Sequence, residues 1–375
     1  MKVDLAVVGG GIVGLAHALA AARSGRRVVI IERSERASGA SVRNFGLIWP
    51  IGQPSGPRHA RALRSREVWE QLAREADLFH APTGSLHLAH QPDEWQVLAE
   101  FASGPEAKQQ GRILLDAAET TARFPSVRGD GLAGALWSPT EATVDPREAI
   151  RKLPVWMEES LGVRLAFGTT AREIMPPRII TSAGEITADH IVVCSGADFE
   201  TLYPARFREA RITRCKLQML RTVPQPEDWK LGPALCAGLT LAHYDSFRHC
   251  PSLPALRERL RATLPFHVAN GIHVLVSATS CGELTLGDSH AYGWTVDPFD
   301  REDINDAVLS YLQTFIQAPS LAIAERWHGV YPKMTDGSSE LVFSPEPGVT
   351  VVNGLGGAGM TLSFGLAEEV LARLG

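Results

Sequence analysis

Val3-Asp4-Leu5-Ala6-Val7-Val8-Gly9-Gly10-Gly11-Ile12-Val13-Gly14 is the stretch that decides the fold of this chain. Its first six residues make a short apolar strand, and Gly9-x-Gly11-x-x-Gly14 is a glycine turn. Ile12 to Ser24 reads as a helix rich in Ala and Leu, ended by Gly25 at the C-cap position. Arg27 to Ile31 is a second apolar strand, closed by Glu32, 18 residues after Gly14. Strand, glycine turn, helix, strand and acid in this register open a parallel sheet that binds a dinucleotide. Gly9 permits the tight turn, Gly11 lets backbone approach a pyrophosphate, and Gly14 lets helix and strand pack closely. The helix start, with Ile12 and Val13, offers unpaired N–H groups and a positive dipole to the phosphates. Glu32 can accept from ribose hydroxyls and disfavours a 2′-phosphate, so NADP suits the site least. The turn alone does not separate FAD from NAD.

Working outward, residues 57–80 read as an amphipathic helix and Glu94 to Gln109 as another, with strands at 84–89 and 132–137. Pro146 opens a helix through Gly162. Val163–Phe167, Glu173–Ile174 and Ile179–Thr181 suggest a small sheet, and Asp189–Cys194 is an apolar strand ending on Ser195-Gly196-Ala197. Residues 211–222, 272–279 and 283–288 supply longer strands for a separate sheet, followed by a helix from Arg301 to Ala318. The chain closes with a strand (Val349–Asn353), a glycine turn and a helix (Met360–Leu374). The expected class is α/β: a Rossmann-type domain interleaved with an α+β domain on a mostly antiparallel sheet. The dinucleotide domain is assigned to 1–80, 140–210 and 320–375, and the substrate domain to 81–139 and 211–319.

With 375 residues the chain suits two linked domains. A net charge of −5 argues against a nucleic-acid partner. Five cysteines without CxxC spacing read as reduced thiols of a cytoplasmic protein, and no metal site is expected. No targeting segment or bilayer-spanning run is read. The sequence leaves the oligomeric state open.

Three further segments resemble the D-amino-acid oxidase, glycine oxidase and sarcosine oxidase group of flavoproteins. They are Glu32-Arg33 with Gly39 to Gly46, Ala188 to Ala197, and Gly354-Leu355-Gly356-Gly357-Ala358-Gly359-Met360-Thr361. Val144-Asp145-Pro146 and Trp327-His328-Gly329-Val330-Tyr331-Pro332 with Asp336-Gly337 match that group as well. The resemblance covers most of the chain and is weakest from about 210 to 300. It implies FAD, held by Gly9, Gly11, Ile12, Val13, Gly14, Glu32, Arg33, Ser41, Arg43, Asn44, Gly46, Ser195, Gly196, Gly356, Gly357, Gly359, Met360 and Thr361. The last helix would point its positive end at the flavin, where reduction places negative charge.

The departures bear on the substrate. Tyr331 stands where the glycine oxidase branch has a carboxylate-binding arginine, and Lys333 follows two residues later. Thr361 stands where the monomeric sarcosine oxidase branch has a lysine, and Tyr331 to Thr335 lacks that branch's flavin-linking cysteine, so non-covalent FAD is expected. The oxygen-activating lysine of that branch is missing from Leu284-Thr285-Leu286-Gly287. Candidate groups for chemistry and anion binding are His328, Tyr331, Lys333, Tyr244 and Arg248, with His249, Arg43 and Lys216 as further cations. Each has a plain alternative as a solvated charge or, for His328, a ring packed on Trp327.

The resemblance implies oxidation of the C–N bond of a small anionic amine, a secondary amine or N-substituted glycine, with O2 as electron acceptor. Glycine, a D-amino acid or an aminophosphonate is the alternative substrate; the last comes from a loose likeness of Arg214–Met219 and the 243–251 loop to a branch linked to aminophosphonate breakdown. A quinone or carrier protein is the alternative acceptor, and a flavin-bearing assembly or sensor protein without turnover is the rival outside enzymes.

Overall fold

The strands of the opening unit have no polar face. Leu5, Ala6, Val7, Val29 and Ile30 are fully buried, as a parallel sheet covered on both sides requires. The structure is a computed structural model and describes residues 1–374. Lys2–Val8 pairs in parallel with Val28–Glu32 on one side and Gly184–Val193 on the other. Arg164–Phe167 extends the sheet beyond Val28–Glu32, and Val349–Asn353 lies parallel to the end of Gly184–Val193. Alternate side chains divide between two cores. Leu5 and Val7 join the helices Ile12–Arg23 and Gly359–Ala372, whereas Val3, Ala6 and Val8 join Phe199 and Phe207 on the other face.

The small sheet expected from 163–181 does not stand alone. Its first strand pairs with Val28–Glu32, and the hairpin Ala171–Met175/Arg178–Thr181 adds antiparallel to Gly184–Val193. The helix expected over 57–80 ends at Glu75, and that over 94–109 is two helices, Pro92–Ser103 and Pro105–Gln109. The last turn of the helix expected to Ala318 is also shorter, at Leu312.

The second sheet has nine strands, mostly antiparallel, with one parallel pair between Ser85–Ala89 and Ala234–Cys236. Its longest pairing joins Ile212–Thr222 to Ile323–Met334, with Ile212 opposite Met334 and Cys215 opposite Tyr331. Residues 323–334, grouped with the dinucleotide domain on sequence, are therefore part of the second sheet. The local sequence hid this: Arg326-Trp327-His328-Gly329 lacks the apolar alternation that marks a strand.

Two histidines are locked into these cores. His17 is buried in the first helix against the Val13 carbonyl, and burial lowers its pKa to about 4. His87 lies between Trp49 and Phe247; burial, with Arg112 adding, lowers its pKa to about 3. The unfolded chain takes up these protons near the ordinary value of about 6.5. Both groups thus contribute stability that is whole above about pH 6.5 and falls as pH drops through the folded values, by a few kcal/mol each. The thermal midpoint of the FAD-saturated protein should fall steeply between pH 6.5 and 4, and His87→Leu should flatten the fall. An identical slope in the variant would show that His87 is not buried neutral.

Candidate active site

The two sheets face each other across one cleft of about 970 Å³. Its floor is the glycine turn read first. Gly9 has φ +112°, and a Cβ there would meet the Cys194 carbonyl oxygen at 2.2 Å. A Cβ on Gly14 would meet the Gly9 carbonyl oxygen at 1.9 Å, so this glycine packs helix on strand. A Cβ on Gly11 would meet only the Ser41 hydroxyl, at 3.1 Å, leaving its backbone open to the cleft. The Ile12 N–H donates to Ser41 Oγ at 2.9 Å, and the first helical turn carries no acidic residue. Glu32 ends the second strand, accepting from Gly10 N at 2.8 Å and Ser34 N at 3.0 Å. Its carboxylate keeps further lone pairs for ribose hydroxyls.

The second and third glycine segments meet on the same floor. Asn353 joins them: its amide donates to Ser195 Oγ at 3.2 Å and to the Gly196 carbonyl at 3.0 Å. Gly356, with φ +62°, and Gly357 turn beneath Lys333 and Tyr331; a Cβ on either would stand 3.8 and 3.6 Å from those side chains. Gly359 and Met360 then open the final helix, which points its N-terminus into the cleft. Thr361 lines the wall too, but its hydroxyl accepts from Trp49 N at 2.9 Å, which fastens the helix to the Leu47–Ile48 strand. Arg33 is paired with Asp198 at 2.9 Å. Asn44 braces the 40–46 loop through Ala40 O, Ser41 O and Gly46 N. Gly46 does not line the cleft. Its place is fixed by Val144, whose carbonyl oxygen would lie 1.9 Å from an added Cβ.

The far wall comes from the second sheet, and its two-residue period sorts the candidates. Trp327, Gly329, Tyr331 and Lys333 share one strand face, with Cys215, Leu217 and Met219 from the neighbouring strand packed on Tyr331. His328 and Lys216 fall on the opposite face and do not line the cleft. There Asp300 takes both, Lys216 Nζ at 2.8 Å and His328 Nδ1 at 3.0 Å. Arg248 is also outside, exposed and paired with Asp245 at 2.7 Å, and His249 is exposed beside it. Tyr244 faces the cleft and packs against Trp49. Lys333 is half-buried and its ammonium donates to the Tyr292 hydroxyl at 3.1 Å. Arg43 lines the cleft and donates to the His328 carbonyl at 3.1 Å.

Several groups on the walls have no counterpart in the sequence reading. Trp49 Nε1, Gln53 Oε1 and Arg58 Nε are buried atoms of lining residues without a hydrogen-bond partner among the described residues. More prominent are His243, His273 and His290, whose ring nitrogens lie within 4.8 Å of one another, with Asp288 beside them. They come from 30 and 17 residues apart, with no short motif to reveal them. Their rings are stacked, His243 on His273 at 3.7 Å and 24° between planes. Nearly parallel ring planes meet far beyond the roughly 2.0–2.1 Å reach of a metal–imidazole bond, so this arrangement does not suit one shared ion.

Residues 4–373 match the FAD dependent oxidoreductase family. This chain belongs to that family. The open glycine floor, the paired Glu32 and the glycine-rich start of the last helix fit FAD, and their residues would hold its pyrophosphate, ribose and ring. The chain is 24% identical over 361 residues to the glycine oxidase of Geobacillus kaustophilus, covering 92% of this chain and 85% of that protein. The crystal structure of glycine oxidase from that organism superposes with a TM-score of 0.78 at 22% identity, covering 100% of this chain and 94% of the other. Iminodiacetate oxidase from Chelativorans has the same fold, with a TM-score of 0.71 at 20% identity over 98% of this chain and 94% of that one. The bifunctional protein ThiO/ThiG of Nostoc is 27% identical over 243 residues, 60% of this chain but only 36% of that longer protein. Among the described residues no helix is long and apolar enough to cross a membrane.

Proposed function

We propose that this protein oxidises the C–N bond of a small anionic amine, a secondary amine or N-substituted glycine of the sarcosine or iminodiacetate kind. The product is an imine that hydrolyses to an aldehyde or keto acid, and O2 is reduced to H2O2. FAD, when bound, supplies the acceptor for the hydride. The chain's own work is to orient the substrate and exclude water.

The observation that carries this reading is the position of Lys333. Its side chain stands beside Gly356 at the start of the last helix and projects into the same cleft as the three glycine segments. An acidic group held by Lys333 keeps the adjoining amine carbon inside that cleft. Tyr331 is buried and Tyr244 partly buried on the same walls, and desolvation pushes both pKa values well above the ordinary range, so both stay protonated. They can donate to an acid group or accept from an amine N–H. Names of similar proteins support the class: glycine oxidase and iminodiacetate oxidase both act on amines that carry a carboxylate.

A second reading, an aminophosphonate substrate, is favoured by the imidazole cluster next to Lys333, because a dianion calls for more than one cation. An aerobic screen of sarcosine, iminodiacetate, D-alanine, glycine and 2-aminoethylphosphonate with peroxide detection tests the proposal. Peroxide from anionic secondary amines is the expected result. Flavin reduction without peroxide would move the acceptor to a quinone or carrier protein.

A further inference from the structure

His243, His273 and His290 make a pile of three imidazoles in the wall of the cleft. His243 stacks on His273 at 3.7 Å, His273 on His290 at 5.3 Å, and His243 lies 4.8 Å from His290. The pile lies over one buried carboxylate: Asp288 Oδ1 is 3.0 Å from His273 Nε2 and 3.9 Å from His290 Nδ1, ion-pair distances at which the oxygen has no aligned hydrogen bond among the described residues. His290 Nδ1 is also 2.9 Å from the Gly271 carbonyl, which fixes that ring. His273 Nδ1 is buried without a partner among the described residues. His243, at the top, borders the cleft and has no side-chain hydrogen bond among the described residues.

The charges around the pile are few and can be named. Asp288 lies beneath it, and Lys333 acts on His243 and His290 from the strand Ile323–Met334 of the same sheet. Tyr244 stands edge-on to His243 at 5.1 Å, Tyr292 lies 6.2 Å from His290, and Tyr331 and Cys215 are the remaining titratable neighbours of Asp288. Burial, followed by His273, His290 and Lys333, holds His243 well below the ordinary histidine range. Burial likewise lowers His290, although Asp288 partly opposes it. Burial alone would raise Asp288, but His290 and His273 keep its carboxyl below the ordinary value.

We propose that His243, His273 and His290, anchored on Asp288, form a proton-accepting anion clamp at the Lys333 end of the cleft, which takes up one proton with each dianionic, tetrahedral acid group it binds. The inference rests on the reading that this end of the cleft receives the substrate's acidic group. With neutral rings, Lys333 and Asp288 balance. A single negative charge is met by Lys333 alone and leaves the rings neutral. A second negative charge within about 4–6 Å favours an imidazolium over a neutral ring. The bound dianion then faces two cations, Lys333 and one imidazolium, while Asp288 sits behind the stack. A second proton is opposed by a like charge on a ring already stacked against it. The clamp therefore selects phosphonate-type or phosphate-type groups over carboxylates at pH values above their second pKa of about 6, where they keep both charges.

Sulfate and acetate are suitable probes because neither changes its own charge between pH 6.5 and 9. Binding to the FAD-loaded protein is followed through the flavin absorption spectrum at constant ionic strength. The sulfate association constant should fall as pH rises, by up to about tenfold per pH unit, the limiting linkage for one proton taken up, while the acetate constant stays within about twofold over the range. His243→Gln and His273→Gln should remove most of the sulfate slope while FAD content is kept. Asp288→Asn should move the onset of the slope to lower pH, since the imidazolium loses its counter-charge. A pH-independent sulfate constant in the wild type, or an unchanged slope in both histidine variants, would overturn the clamp. Flavin reduction by anionic amines is scored separately: reduction with pH-independent sulfate binding sinks the clamp alone, and absence of reduction by any amine sinks the proposed function alone.

Discussion

Gly11→Val should leave a folded protein that retains no FAD. In the wild type, denaturation should release the FAD free of the chain, because the one cysteine lining the cleft among the described residues is Cys194, buried and held as a thiol by desolvation. The Gly11 backbone has φ −73° and ψ 173°, an extended conformation that valine adopts without strain. Its Cβ would meet only the Ser41 hydroxyl, so the fold loses one adjustable contact. The added methyl groups fill the place where the pyrophosphate approaches the start of the first helix, and that approach is what a glycine here allows. The loss should be of more than tenfold in FAD affinity, read as flavin per chain after gel filtration, with circular dichroism unchanged. Gly14→Val is the contrast. Its Cβ would lie 1.9 Å from the Gly9 carbonyl, a backbone clash that should prevent folding altogether. Normal flavin content in Gly11→Val would place the cofactor elsewhere.

Lys333→Met should cut kcat/KM for an anionic amine by roughly 10- to 150-fold, the span of a charge-assisted hydrogen bond worth about 1.5 to 3 kcal/mol. The methionine keeps the stem that packs beside Gly356 and loses only the ammonium that meets Tyr292. FAD content should be unchanged, and a neutral amine should lose less than an anionic one. An equal loss on both would mean that Lys333 acts on the flavin or the fold. No loss on either would shift the anchor to Arg43 or Arg58, two arginines that also line the cleft.

The glycine floor of the cleft was legible in the sequence because each of its parts is local. A glycine turn between an apolar strand and a helix, with an acid closing the next strand, constrains backbone conformation within some thirty residues. Which candidates line the far wall of the cleft was legible only in part. Tyr331 and Lys333 were found through one matched segment, but His328 in the same segment points the opposite way, because the segment is a strand and its side chains alternate. Lys216 follows His328 to that face through the strand register. Arg248 sits in a single 3-10 turn whose nearest partner is Asp245, three residues away, and a loop sequence gives no hint of such local pairing. The imidazole pile was missed for the converse reason. His273 and Asp288 become neighbours only when two strands pair, with His273 N–H donating to the Asp288 carbonyl at 3.2 Å and Asp288 N–H to the His273 carbonyl at 2.8 Å, and His243 arrives from the end of a separate helix. No spacing within the chain encodes that meeting.

The most direct measurement is anaerobic mixing of the FAD-loaded protein with an anionic secondary amine, followed by its flavin absorption. Iminodiacetate and sarcosine are the first substrates to use. The expected result is loss of the oxidised flavin bands at a rate that saturates with amine concentration, followed by their return when air is admitted. An oxidised spectrum that persists with every anionic amine, in a protein that dithionite reduces normally, would contradict amine oxidation as the activity of this cleft.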